Sequence, residues 1–494
     1  MSSSTRAKLI SGQWRAGRPE GIPPNALPMV ATPSKCHQAC AAALGPDERL
    51  VQIHFDPAGG AHALVLAPGE IPGRPALTDI VLPQNLARAR WGLLLNAWEA
   101  SRQGRFAAWD SRDARTELAN AAQPELRPEA AHAAASAAWS MFVSADSPAS
   151  TLLEFMLGLA PRCTVILPAE LAQLPWLARA VSGSTHGQGD FTPGRLVVEA
   201  SVSAWLRART PPDPPEHLAP PPQVTYGAAP IAVRFEGAHE LSIPFGELEA
   251  NAVAIRLGSA PRVAGGMVEI LQALKAGGPA HLCVHGCFAP FDPFRSYLSL
   301  DGRTNTLPAW LLQCIRVRGD ISLSACEAML VGPGQDRAAW SGPVGLGPLL
   351  RARGARTVVG PLGKSHPLAS WLFYELWYEA RQTLPAVQAL AHAQASLREM
   401  LYTDVLERIK HADQQWHVPL QDLLNQLTPG LAAPPFAHPA HWAQFTLLGD
   451  APVLPRPPAA DRHTAPTSWL KRLLGQWSTW RVRSLEHMNP EQSD

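Results

Sequence analysis

No run of eighteen or more apolar residues occurs anywhere in the 494-residue sequence, so no transmembrane helix is expected. The opening stretch MSSSTRAKLISGQWRAG lacks the apolar core of a secretory signal, and a cytoplasmic protein is expected. Net charge is nearly absent, with 42 Lys and Arg against 41 Asp and Glu. Without a dominant field or a basic stripe, direct nucleic-acid binding is not expected. Cysteine is sparse: seven residues, an odd number, scattered without the spacing of a disulfide framework, which fits a reducing compartment. Zinc-type pairing is missing too, since Cys36, His37 and Cys40 have no second pair. His281 and His285 are four apart, but on an extended strand that separation is about 13 Å, too far for one ion. The glutamate of an HExxH helix is absent as well. Neither a metal site nor a cofactor is expected, and no internal repeat of 20 to 50 residues is visible.

Apolar residues make up 46% of the chain, enough for a sizeable core. Residues 1–47 read as an irregular segment. Residues 48–160 read as a hairpin, RLVQIHF and HALVLAP around a DPAGGA turn, followed by helical periodicity over 83–108 and 114–160. Residues 161–455 alternate strands and helices. The strands are CTVILPAE, RLVVEASVS, PIAVRF, HLCVHG, ISLSACEA and RTVVGPL, and the helices include ELEANAVAIRL and the long stretch ASWLFYELWYEARQTLPAVQALAHAQASLREML. PPDPPEHLAPPP, residues 211–222, reads as an extended linker. Near-continuous apolar strands alternating with helices predict an α/β fold, its central sheet mostly parallel and covered on both faces, with a helical N-terminal subregion. Residues 456–494 form a tail. There Trp469, Leu470, Leu473, Leu474, Trp477 and Trp480 fall on one helical face beside Lys471, Arg472, Arg481 and Arg483. Two readings of this basic amphipathic helix stand: it docks on the body, or residues 469–485 engage a partner or a membrane surface.

Chemistry concentrates in HLCVHGCF, residues 281–288, and ISLSACEA, residues 321–328. Functional groups of an open parallel sheet gather at the carboxyl ends of its strands, where His285 and Cys326 would both lie. A thiol becomes a strong nucleophile when a histidine takes its proton or shares an ion pair with it. Gly286, without a Cβ, would let a substrate carbonyl approach, and the N–H groups of Gly286 and Cys326 are candidate oxyanion donors. The bland alternative is a buried cysteine and a hydrogen-bonded strand-end histidine. Cys283 and Cys287 are read as core or rim cysteines.

HLCVHGCFAPFDPFRSYLSLDG followed by ISLSACEAMLVG resembles the CHAT family, caspase-like domains related to separase. CTVILPAELAQLPWLA, GLGPLLRARGARTVVGPL and PFAHPAHWAQFTLLGD are similar to further elements of that family, over about residues 85 to 452. The resemblance implies a caspase-like sandwich and a cysteine endopeptidase with Cys326 as nucleophile and His285 as general base. His281 stands where the family often has another histidine, and packing or hydrogen bonding is its preferred role. His281, nonetheless, and Asp292, Glu327, Lys364 and His366 are candidate groove residues. After RTVVG the family commonly has tryptophan and aspartates, whereas this chain has PLGKSHP, so the pocket is expected to suit a basic P1 residue less well. The resemblance further implies bacterial antiphage defence or regulated cell death, a protein substrate such as a gasdermin-like pore former, and an activating protein or effector complex. The alternative is a partner-gated scaffold, for instance attached to a CRISPR-type effector, with latent protease activity.

Overall fold

The computed structural model describes residues 39–40, 42–68, 76–103, 128–179, 193–209, 222–227, 231–233, 241–243, 245–264, 266–289, 292–299, 306–332, 344–427 and 434–454. The C-terminal amphipathic segment, Cys36, His37 and nearly all of the 211–222 linker lie outside these residues. No described helix is long and apolar enough to cross a membrane.

Two sheets share one hydrophobic core. The first runs β3-β2-β1-β4-β5, from β1 (Glu48–Phe55), β2 (Ala61–Ala67), β3 (Ala76–Val81), β4 (Arg162–Ile166) and β5 (Leu196–Glu199). The Asp56 carboxylate accepts the Gly60 N–H at 2.8 Å and closes the β1–β2 turn. β4 and β5, placed by the sequence in the catalytic region, instead complete the hairpin's sheet, because β1 pairs in parallel with β4. α1 (Arg88–Gln103) packs on α2 (Pro128–Val143), and α3 (Pro148–Leu159) packs on α2 and on β4 of this sheet. Trp91, Leu94 and Trp98 recur at three and four residues, and that stripe of α1 is buried. Pro148 ends the long helical pattern and starts α3, with Ser147 capping the Ser150 N–H.

The second sheet runs β16-β15-β14-β10-β6-β9. Its strands are β6 (Gln223–Gly227), β9 (Pro261–Ala264), β10 (Ala280–Cys283), β14 (Asp320–Ser324), β15 (Thr357–Pro361) and β16 (Phe445–Leu448). All pairings are parallel except that of the edge strand β16. The strand after the linker is QVTYG rather than the expected PIAVRF, part of which (Ile231–Val233, β7) pairs with β8 (Leu241–Ile243) in a separate two-stranded ribbon. Helices α4 (Ala169–Ala172), α5 (Val202–Arg209), α6 (Phe245–Leu257), α7 (Met267–Lys275), α8 (Ala309–Leu312) and α9 (Leu346–Ala352) fall between the strands. The long C-terminal helical stretch divides into α10 (Pro367–Arg381) and α11 (Ala386–Glu399), because Pro385 cannot sit inside a helix. α12 (Tyr402–His411), α13 (His417–Leu427) and α14 (Pro439–Trp442) complete the layer.

A buried ion pair ties the sheets together. Arg351 on α9 donates to Glu199 at the end of β5 from Nε at 3.1 Å and Nη2 at 2.6 Å. Gly449, which follows β16, has φ +78, and a Cβ there would lie 2.6 Å from Arg351 Nε. Its N–H donates to Val198 of β5 at 2.9 Å, so the Leu-Gly-Asp terminus of the motif is a sheet-to-sheet joint. Removing one partner of a buried pair strands the other charge. Glu199→Gln is expected to cost about 3–5 kcal/mol, read as a lower urea midpoint.

Candidate active site

β10 and β14 are parallel neighbours with Cys283 opposite Ser324. Beyond that pair the Val284 N–H donates to Ser324 O at 3.1 Å, and then the strands part. β11 (His285–Cys287) leaves the main sheet and pairs antiparallel with β12 (Tyr297–Ser299), which pairs with β13 (Thr306–Pro308). The segment expected as one strand is therefore two, in two sheets, jointed at Val284. On the other side the chain turns sharply after Cys326. Glu327 has φ +59, the one non-glycine residue with positive φ among the described residues. Left-handed backbone costs a side-chain-bearing residue about 1–2 kcal/mol. Two contacts hold it: the Glu327 N–H donates to Gly363 O at 3.1 Å, and the Glu327 carboxylate accepts the Phe288 N–H at 3.2 Å. Glu327 therefore clamps the His285 strand to the Cys326 turn, a role the sequence reading did not foresee.

Gly286 makes the decisive contact. A Cβ at this position would lie 2.1 Å from Cys326 O and 3.2 Å from Ala325. Only glycine permits the His285–Gly286 backbone to rest directly on the Cys326 turn. This corrects the expected reason for the glycine. The space in its side-chain direction is filled by the Cys326 carbonyl rather than open to a substrate.

Burial sets the electrostatics. Cys326 is pushed up to about 11, chiefly by burial and secondarily by the Glu327 charge, against hydrogen bonds from the Ser365 N–H and from its own N–H. Burial also pulls the His285 pKa down. Burial thus favours the uncharged form of each group at pH 7.

The other sequence candidates separate. His281 is fully buried, its Nε2 2.8 Å from Glu249 Oε1 and its ring against Tyr374 and Tyr378. It cannot line a groove, and packing with hydrogen bonding, its preferred role, is what the geometry offers. His366, 5% exposed, precedes α10 and meets His441 at 5.9 Å, so it too is removed from any groove. Asp292 lies 3.5 Å from Arg295 at the start of a single 3₁₀ turn. Half-buried Lys364, its pKa lowered by burial, directly precedes Ser365, whose N–H bonds the Cys326 sulfur. Cys283 and Cys287 are both shifted upward, mainly by burial, as core or rim thiols would be.

Residues that the sequence reading missed support the pair from below. Tyr374 donates to Leu323 O at 2.7 Å and Tyr378 to Ser322 Oγ at 2.8 Å. Ser370 Oγ lies 3.4 Å from Ser324 Oγ and 3.3 Å from Ser365 Oγ. The signal was available: Ser322 and Ser324 alternate along β14 toward Cys326 just beyond it, and Ser370, Tyr374 and Tyr378 repeat every four residues on α10. The raised thiol makes a direct prediction. Iodoacetamide labelling of Cys326, followed by peptide mass spectrometry, is expected to climb tenfold per pH unit up to a midpoint near 11. A midpoint below 8 would contradict the uncharged thiol.

The family model of the CHAT domain matches residues 128–450. No curated protein sequence matches the chain. Two crystal structures of the Saccharomyces cerevisiae separase–securin complex, at 3.0 and 2.6 Å, align at 10% identity with TM-scores of 0.45 and 0.42. They cover 84% and 91% of this chain but 30% and 31% of the matched chains, so the present chain spans less than a third of their length. A complex of the pro- and mature domains of Porphyromonas gingivalis RgpB aligns at 10% identity with a TM-score of 0.31, covering 61% of this chain and 74% of the other.

Proposed function

Because the chain belongs to the CHAT-domain family, we propose that it is a caspase-like cysteine endopeptidase that cleaves a protein partner. The observation that carries this reading is the contact of Gly286 with the Cys326 carbonyl, which joins the histidine's strand to the cysteine's turn. In the proposed reaction His285 removes the Cys326 proton as Sγ attacks the scissile carbonyl carbon. N–H groups of Gly286 and Cys326 receive the developing oxyanion. His285 then gives its proton to the leaving amine, and a thioester remains. Water, deprotonated by His285, attacks that thioester and releases the acid product and the free thiol.

A thiol held near 11 must be deprotonated as it attacks, and this favours a site that a partner switches on. The same observation supports the second reading, a partner-gated scaffold with latent protease activity. The family resemblance supports bacterial antiphage defence or regulated cell death as the setting and a gasdermin-like pore former as a candidate substrate. Lys364 beside the thiol loop supports a pocket poorly suited to a basic P1 residue.

Co-expression with proteins of neighbouring operons, wild type beside Cys326→Ala and His285→Ala, tests the proposal by intact mass. A partner fragment should form with wild type and fall by at least about a thousandfold in either variant. Equal cleavage in all three sinks the assignment. On the scaffold reading no fragment forms and an electrophilic peptide probe leaves Cys326 unlabelled. Strict cleavage after arginine in a peptide library would overturn the inference about Lys364.

A further inference from the structure

Away from the Cys326 rim, α6, α10 and α12 enclose a cleft of about 640 Å³. Its apolar wall includes Leu248, Ala252, Ile255 and Trp371. Its charge is unbalanced. Arg256 and Arg408 both lie against Glu375, at 2.8 and 3.1 Å, and Arg256 also reaches Glu379 at 3.5 Å. Asp404, Glu407 and Asp413 line the same cleft and make no ion pair among the described residues. A smaller cleft of about 390 Å³ shares Glu379, Asp404 and Arg408 with it and adds Glu399 at the end of α11, which pairs with Arg398 at 2.6 Å. The field is felt nearby: Glu247 on α6 is shifted upward by burial and then by the charge of Asp413. Trp371 is 3% exposed and contributes part of its ring to the cleft wall.

We propose that this cleft binds a lysine- or arginine-bearing segment of a partner protein. The carboxylate rim takes the cationic head groups and the apolar wall takes their aliphatic stems. The cleft is also connected to the thiol. Trp371, Glu375 and Glu379 recur every four residues along α10, one position on from Ser370, Tyr374 and Tyr378. A single helix thus presents one stripe to the cleft and the adjoining stripe to β14 and Ser365, whose N–H bonds the Cys326 sulfur. A bound segment displaces or stiffens α10 and changes the accessibility of Cys326. This coupling concerns the site of the proposed endopeptidase, but it is read on the thiol itself and needs no proteolysis.

The test uses the full-length protein and a fluorescein-labelled sixteen-residue lysine/leucine helical peptide, followed by anisotropy, with a glutamate/leucine peptide and spermine as competitors. Saturable binding by the cationic peptide alone is expected. The pair Glu407→Gln and Asp413→Asn, both on exposed positions, should weaken it about tenfold with an unchanged melting temperature. Absence of binding, equal affinity in the charge variant, or displacement by spermine or the acidic peptide at matching concentration overturns the docking site. Saturating peptide should alter the iodoacetamide labelling rate of Cys326 at pH 8 by at least about threefold. An unchanged rate overturns the coupling. Loss of cleavage with these effects intact would instead count against the endopeptidase.

Discussion

The Gly286 α-carbon rests on the Cys326 carbonyl with no room for a methyl group between them, and the form of the site follows from that contact. A strand can lie this close to another chain segment only where it has no side chain to interpose. β10 carries the chain in register beside β14 as far as Val284, and the strand then has to leave the sheet because the Cys326 turn occupies its path. The departing strand finds new partners in β12 and β13. Glu327, in left-handed backbone, bridges both sides through its N–H and its carboxylate, so the strained residue is also the one that fastens histidine strand to cysteine turn.

Beneath this joint, one face of the sheet is polar where a core would ordinarily be apolar. Asp320, Ser322 and Ser324 on β14 and His281 on β10 are all buried. Every one is met from the helices or an adjacent strand: Asp320 by Arg356, Thr357 and Arg381, Ser322 by Tyr378, Ser324 by Ser370, His281 by Glu249. An unmade bond here would cost about 1–3 kcal/mol, so the network fixes the placement of α6 and α10 on the sheet. The low dielectric that stiffens these bonds also disfavours charge on Cys326 and His285. Rigidity of the site and the neutral state of its thiol therefore have a common cause. A site built this way holds its geometry at rest, and its thiol gains reactivity when solvent, substrate or a neighbouring dipole changes its surroundings.

The alternation of strands and helices was legible because apolar runs such as ISLSA and RTVVG are long enough to be buried on both faces. The meeting of the His285 strand with the Cys326 turn was legible because both residues end such runs. What escaped was set by contacts distant in the chain. HLCVHGCF has uniform strand character, and its division at Val284 depends on a turn about forty residues away. QVTYG and PIAVRF have similar local propensity, and pairing with β10 and β9 decides which of them enters the central sheet. The boundary at residue 160 separated β1 from β4, since no local signal shows that strands a hundred residues apart are parallel partners. His281 and His366 look like groove residues on proximity in sequence to the motif, yet alternation along β10 and the start of α10 turn both inward.

α10 is where these constraints meet. A helix with period 3.6 that must place Ser370, Tyr374 and Tyr378 against a polar sheet face automatically turns positions 371, 375 and 379 about 100° away. Those positions are Trp371, Glu375 and Glu379, the residues that line the acidic cleft. The helix cannot move as a soft body, because its hydroxyls bond directly to β14 main-chain and side-chain atoms. Shifts of about 1–2 Å are the usual scale of helix movement at an interface. Such a shift is enough to separate Ser370 from Ser324 and Ser365, contacts that already stand at 3.4 and 3.3 Å, whereas the Tyr374 and Tyr378 bonds at 2.7 and 2.8 Å act as the pivot. The weakest bonds of the network are thus those nearest the thiol, and the first effect of moving α10 falls on the loop whose N–H touches Cys326.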